Sequence, residues 1–183
     1  MIHEHLAIKG CEGVYDPLED SSLLAEAVEN IAFGKVLDLG TGSGIQGIVA
    51  AKKGCDVTFA DIDPEAVECA KMNAKLNGVF GKFIVSDMFD NIEEKFNTIV
   101  FNPPYLESIG EDEEELALSG GRKGRTLIDR FIDSYRGHLL DNHAVLLVES
   151  DINCYEKDVI RLGAKIVAQR KFFFEELVVL RFE

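Results

Sequence analysis

Four consecutive residues, Asn102-Pro103-Pro104-Tyr105, carry the most specific chemistry in this sequence. The nitrogen of an amide or an aniline-like amine is a poor nucleophile because its lone pair is delocalised. Transferring a group onto it requires support for the positive charge that grows there, so acceptors help and donors hinder. Asn102 offers a side-chain carbonyl and Pro103 a main-chain carbonyl, enough to hold both hydrogens of an NH2 group. Neither proline has an N–H and both fix φ, which leaves a stiff turn of acceptors. The ring of Tyr105 is a surface on which a planar group can stack. With the nitrogen oriented, positioning and electrostatics supply the acceleration, and neither a strong base nor a covalent intermediate is required. The competing reading is an ordinary Asn-Pro turn after a strand.

A second constellation is a glycine loop with acids around it. Gly40-Thr41-Gly42-Ser43-Gly44 follows Asp38, and Asp61 and Asp87 stand at the ends of the next two strand-like runs. Glycines between a strand and a helix let backbone approach a ligand closely, with free N–H groups beyond. Gly42-Ser43-Gly44-Ile45-Gln46-Gly47 also satisfies the dinucleotide fingerprint formally, with Asp61 about where a ribose-binding acid would stand. Asp38 separates the two readings: an acid just ahead of the loop suits the cationic ammonium of S-adenosylmethionine and would repel a pyrophosphate. The alternative for Asp38 is an acid that caps the turn. Asp61 would then accept both ribose hydroxyls, Asp87 the exocyclic amine of adenine, and Met88 would pack on the ring.

The elements that must position these residues follow from periodicity. A helix is expected over 18–33, with Asp20, Ser21 or Ser22 as cap and Leu23, Leu24, Ala27, Val28 and Ile31 on one face. Strands are expected at 36–39, 57–60, 82–85, 98–101 and 144–148, separated by helical stretches. One of these opens at Asp63-Pro64-Glu65, with a cap, a proline at the first position and an acid in the first turn. Further helices are expected at about 126–140 and 155–162. The runs 165–174 and 177–182 are too close for a crossover helix and so read as an antiparallel hairpin. The sum is a doubly wound, Rossmann-like α/β domain of seven strands, five of them parallel, with ligands at the strands' carboxyl ends. A single domain over 1–183 is expected, comprising an entry segment and helix over 1–33 and the core over 34–183.

Composition narrows the partners. The 183 residues are 46% hydrophobic and 28% charged, with a net charge of −14. That charge repels nucleic-acid phosphates on average, so duplex DNA is a poor substrate for this surface. No segment has the apolar length of a membrane span, and no secretory signal is visible at the N-terminus, which gives a cytoplasmic expectation. Cys11, Cys55, Cys69 and Cys154 form no CxxC pair and are expected to be reduced thiols. His3 and His5 have no further ligand beside them, so no metal site is expected.

Taken together these segments resemble the HemK/PrmC family of protein-glutamine N5-methyltransferases, in its short archaeal and eukaryotic branch. Residues 14–21, Val-Tyr-Asp-Pro-Leu-Glu-Asp-Ser, are similar to that branch's entry segment, Val36 to Gly44 to its cofactor loop and Phe101 to Tyr105 to its catalytic motif. Residues 119–125, Ser-Gly-Gly-Arg-Lys-Gly-Arg, with Asp129-Arg130-Phe131, look like a further signature. The resemblance implies the class I S-adenosylmethionine-dependent methyltransferase fold. It also implies, as substrate, the glutamine of the Gly-Gly-Gln motif in the class I translation termination (release) factor. Ser21, Asp38, Gly40, Gly42, Asp61, Asp87, Met88 and Asn102 would be cofactor contacts, and Asn102 to Tyr105 the glutamine site. Where the branch has a larger acid and a threonine, this chain has Asp38 and Ser21. The extra N-terminal helical domain of bacterial members is absent from the sequence, and the branch's small zinc-binding activator would pair with the edge strand 82–85. Three other readings stay open on the acceptor turn: adenine-N6 methylation of nucleic acid, protein-lysine methylation, and a cofactor-binding subunit without catalysis.

Overall fold

A computed structural model describes residues 5–104 and 125–183 of the chain. Among the described residues seven strands form one sheet in the order β3-β2-β1-β4-β5-β7-β6. They are β1 (Lys35–Leu39), β2 (Asp56–Asp61), β3 (Lys82–Val85), β4 (Phe96–Phe101), β5 (Leu139–Ser150), β6 (Lys165–Lys171) and β7 (Glu176–Phe182). The first five are mutually parallel, while β7 runs antiparallel to both β5 and β6. The helices are α1 (Glu19–Ile31), α2 (Ile45–Lys52), α3 (Pro64–Leu76), α4 (Arg125–Ser134) and α5 (Tyr155–Leu162). No helix among the described residues is long and apolar enough to cross a membrane.

Side-chain alternation along the strands sorts the core into two layers. Val36, Val100, Leu146, Val148 and Val179 face α1 and α2, while Leu37, Leu39, Ile99, Phe101, Val145 and Leu147 face Ile128, Phe131 and Tyr135 on the other side. The same period of two fixes the polar residues at the strand ends. Asp38 shares the face of Val36, so it lies beneath α1 and α2. Asn102, one step past Phe101, falls on the face of Val100 and points towards α1. At the start of α2, Gly47 allows the helix to sit directly on β2, since a Cβ there would come within 2.2 Å of the Phe59 ring.

Two expectations are corrected. None of Asp20, Ser21 and Ser22 caps α1; the N-cap is Leu18, which makes no side-chain cap bond, and Asp20 and Ser21 are buried within the first turn. Second, Cys11 and Cys69 are joined in a disulfide, with Cα atoms 6.2 Å apart, and only Cys55 and Cys154 are free. The cause is a match between two periods. On α3, Cys69, Asn73 and Asn77 lie one turn apart on one face. Asn77 accepts from Ala7 N–H at 3.0 Å and donates to its carbonyl at 2.9 Å, and Asn73 does the same for Lys9 at 2.9 and 3.1 Å. Two residues of extended chain advance ~6.6 Å and one helical turn ~5.4–6 Å, so alternate residues of the entry segment meet successive turns, and Cys11 arrives at Cys69.

Candidate active site

At the carboxyl ends of β1 to β4 lies a cavity of about 610 Å³, within the usual range of small-molecule sites. Its floor is the glycine loop. Gly40, Gly42 and Gly44 all have positive φ, at 61°, 50° and 86°, which a residue with a Cβ adopts only with strain. Asp61 braces this loop: its Oδ2 accepts from Gly42 N–H at 2.9 Å and its Oδ1 from Asp63 N–H at 3.1 Å. Burial pushes its carboxyl up from the ordinary value, against the pull of those amides.

Asp38 does not line the cavity. It is 2% exposed, and its Oδ2 accepts both Thr41 Oγ1–H at 2.6 Å and Gly47 N–H at 2.9 Å. Both bonds fall on one carboxylate oxygen, the capping arrangement that was the alternative reading, and strand alternation places Asp38 under α2. Burial raises its pKa to about 7. Ser21, Gly40, Gly42, Asp61, Asp87, Met88 and Asn102 do line the cavity. Asp87 is half-buried and ion-paired with Arg130 at 2.9 Å. Met88 holds a positive φ of 47°, in a turn pinned by buried Ser86, whose hydroxyl donates to the Met88 carbonyl at 3.0 Å.

The acceptor turn brings in a residue that sequence reasoning considered only as a cap. Asp20 Oδ2 accepts from Asn102 Nδ2 at 2.8 Å, and its Oδ1 from the Tyr15 hydroxyl at 3.2 Å. A carboxylate only accepts, so the amide nitrogen of Asn102 must face it and the amide oxygen must face the other way. That oxygen is shielded from water and has no donor among the described residues. Buried orphan acceptors are rare in folded proteins and call for a reason. Burial and the adjacent Asp20 charge push the Tyr15 hydroxyl well above its ordinary pKa, so it remains a donor. Pro103 and Pro104 border the cavity, whereas Tyr105 and the stretch 107–124 lie outside the described residues. Spacing gave one retrievable hint of Asp20: it lies on the first turn of the helix that covers the face of Asn102.

Beyond the cavity, Arg125 at the start of α4 bonds Asp129 at 2.6 Å, Glu149 at 3.3 Å and the buried Asp158. Glu149 is fully buried, and desolvation followed by the nearby Asp158 charge raises its pKa to about 9. This cluster ties the start of α4 to the ends of β5 and α5.

Comparison with known proteins agrees with this geometry. The family model described as "Methyltransferase small domain" matches residues 11–151. A Methanocaldococcus jannaschii protein with a provisional N5-glutamine methyltransferase name is 40% identical over 97% of this chain and 95% of its own length. The human methyltransferase HEMK2 is 33% identical over 70% of the chain and 68% of its own length. A release factor glutamine methyltransferase of Lactococcus lactis is 36% identical over 62% of the chain and 46% of its own. Among solved structures, a Pyrococcus furiosus methyltransferase superposes with a TM-score of 0.73 at 20% identity, covering 99% of this chain and 92% of that one. A Thermus thermophilus 16S rRNA guanine-N2 methyltransferase, solved with S-adenosylmethionine and guanosine, superposes at 0.64 with 23% identity, covering 94% and 44%. At these identities the superpositions speak for the fold.

Proposed function

The chain belongs to the methyltransferase small-domain family, in its HemK branch, and from that membership we propose that it methylates the side-chain amide of the glutamine in the Gly-Gly-Gln motif of a translation termination factor. It is an S-adenosylmethionine-dependent methyltransferase. The observation that carries a planar NH2 acceptor is Asn102, whose amide oxygen is buried with no donor among the described residues while its amide nitrogen is held by Asp20. A planar NH2 group supplies the missing hydrogen.

The residues present suit the cofactor. Among the described residues the cavity walls carry Asp20, Asp61, Asp63 and Asp87 against one cation, Arg130, a balance that favours a ligand with positive charge. When bound, S-adenosylmethionine supplies an electrophilic methyl group on a sulfonium centre. In this reading Asp61 accepts from the ribose hydroxyls with the lone pairs its loop bonds leave over, Met88 packs on the adenine, and the Gly40 and Gly42 backbone admits the ligand closely. Ser21, on the first turn of α1 and in the cavity wall, is a further cofactor contact in this reading. Asn102 Oδ1 and the Pro103 carbonyl hold the two hydrogens of the glutamine amide, and Tyr105 stacks on its plane. As the nitrogen gains positive charge those two dipoles already point the right way, so the transition state is stabilised more than the ground state. One proton of the amide then leaves to solvent.

A finer part of the proposal concerns the outer edge of β3, where an activator protein would add a strand. Ile62, Leu76, Phe80 and Val85 are all exposed on or beside β2, α3 and β3, Phe80 to 91%. An apolar rim along an unpaired edge is the chemistry of strand addition. A substrate that works in translation places the reaction in the cytoplasm.

The test is transfer of tritiated methyl to purified termination factor carrying either the intact Gly-Gly-Gln motif or a substituted glutamine. Label is expected on the intact factor alone, and Asn102→Ala should reduce it at least about a hundredfold, as removal of a preorganised polar group does elsewhere, with cofactor affinity changed much less. Label on the substituted factor, or equal label on adenine-rich RNA, overturns the reading.

A further inference from the structure

The turn of the β6–β7 hairpin carries three consecutive phenylalanines, and the second and third are the most exposed rings there: Phe173 at 90% and Phe174 at 87%. The tip is a two-residue loop. Lys171 pairs with Glu176, and Phe172 N–H donates to the Glu175 carbonyl at 2.7 Å, which leaves Phe173 and Phe174 at the apex. Such loops favour Asn, Asp and Gly, because the backbone must turn tightly. Two phenylalanines answer no demand of the turn, and they contribute nothing to either core layer. Their rings touch each other edge to face, with centroids 4.6 Å apart, as one apolar knob.

Register places this knob at the cavity end of the sheet. Ser150, the carboxyl end of β5, pairs with Leu177 at the start of β7, so the hairpin tip lies at the same end of the sheet as the cavity. Glu175 confirms the proximity: it takes a hydrogen bond from the Ser150 side chain and feels the charge of Asp20, and Tyr15 in turn feels Glu175. The shoulders of the hairpin are tied down. Arg170 pairs with Glu19 at 2.5 Å and Glu26 at 3.2 Å on α1, and Asp151 Oδ1 accepts from Glu176 N–H at 3.0 Å. A braced base with an unburied aromatic apex is the form of a docking element, since rigid rings lose little entropy on binding.

In strand order the tip lies beyond β5, on the side of Asn102 away from β1, β2 and β3. Gly40, Gly42, Asp61, Asp87 and Met88 stand at the ends of those three strands, so in strand order the tip is on the side of the acceptor turn. We propose that Phe173 and Phe174 are the docking knob for the methyl-accepting protein, seating in an apolar depression beside its glutamine loop, with basic residues around it that answer this chain's net charge of −14. The proposal rests on the glutamine reading above.

The experiment compares the wild-type chain with a Phe173→Ser/Phe174→Ser double variant on two substrates: intact termination factor and a short peptide carrying Gly-Gly-Gln. Thermal midpoint and cofactor Kd serve as fold controls and should match. With the factor, KM should rise about ten- to a hundredfold, as expected for truncating aromatic anchors, while kcat holds; peptide turnover should be unchanged. Equal kcat/KM on the factor overturns the docking role, as does an equal loss on peptide and factor. Concentration-dependent self-association that disappears in the variant, with unchanged turnover of the factor, assigns the knob to a second copy of the chain and also overturns the proposal. A wild-type chain that methylates the peptide but not the factor overturns docking alone, and one that methylates neither overturns the glutamine reading with it.

Discussion

Removing Asp20 should slow methyl transfer without loosening the cofactor. Asp20 touches the acceptor turn through a single 2.8 Å bond to the Asn102 amide nitrogen. A hydrogen bond to a charged partner is worth about 1.5–3 kcal/mol. Without it the Asn102 amide can turn over and present two donors to an NH2 group that is itself a donor. If the hold acts on the transition state, Asp20→Ala should lower kcat by roughly 10- to 150-fold. Asp20→Asn keeps an oxygen that can accept from Asn102 and an amide that the Tyr15 hydroxyl can meet by rotating. A neutral bond is about half as strong as a charge-assisted one, so the loss should fall at or below the lower bound. The order of kcat is therefore wild type, then Asn, then Ala. Initial rates of radiolabelled transfer at saturating cofactor give kcat, and calorimetric titration with S-adenosylmethionine gives Kd. A Asp20→Ala variant within twofold of wild-type kcat refutes the reasoning. So does a Kd that rises by the same factor as kcat falls, since Asp20 would then shape the cofactor site instead.

Asp38→Asn separates the brace from the ligand contact: both bonds end on one oxygen, so an amide oxygen in that place keeps them, and cofactor Kd should stay within about threefold, the usual spread for a retained bond. Burial lifts the Asp38 pKa from 3.8 to about 7, so its favourable contribution is full below pH 3.8 and is lost as pH rises through 7. The thermal midpoint should therefore decline less between pH 4 and 7 in the variant, and a tenfold or greater loss of affinity would restore the ammonium contact. Reduction of Cys11–Cys69, or Cys69→Ser, releases a link across 58 residues. Chain entropy assigns that link about 4 kcal/mol, so scanning calorimetry should show a fall of several degrees in the midpoint, and an unchanged midpoint would argue that the asparagine ladder alone holds the entry segment.

Local pattern made most of the sheet legible. Asp63 caps α3 and accepts from Glu65 N–H, with Pro64 at the first position, as the tripeptide reads. The α5 bounds match the expected 155–162, and five parallel strands followed by a hairpin are what the run lengths describe. Ends moved where tertiary pairing prevailed: β5 extends to Leu139–Ser150 because Phe96 and β7 both offer partners beyond the apolar run. The misreadings share one cause, that a linear string shows residue types but not faces. Asp38 precedes the glycines, and alternation from Leu37 and Leu39 turns it under α2, where Thr41 and Gly47 hold one of its oxygens, a brace that the string alone does not show. Asp20 looked like a cap until α1 was laid over β4. Cys11 and Cys69 have no spacing rule, and their pairing becomes visible only when the ladder of Asn73 and Asn77 is set beside the entry segment.

The division of the cavity between strands has a practical corollary for redesign. In the proposed reading most cofactor contacts stand at the ends of β1, β2 and β3, and the acceptor turn follows β4 on the other side of β1. The buried bonds of Asp38 tie the glycine loop to the start of α2. The chain is thus built like a tool with a fixed handle and an exchangeable head. Grafting the connection that follows β4, together with the β6–β7 tip, from a relative that modifies a nucleobase should change what is methylated while the methyl source is held as before.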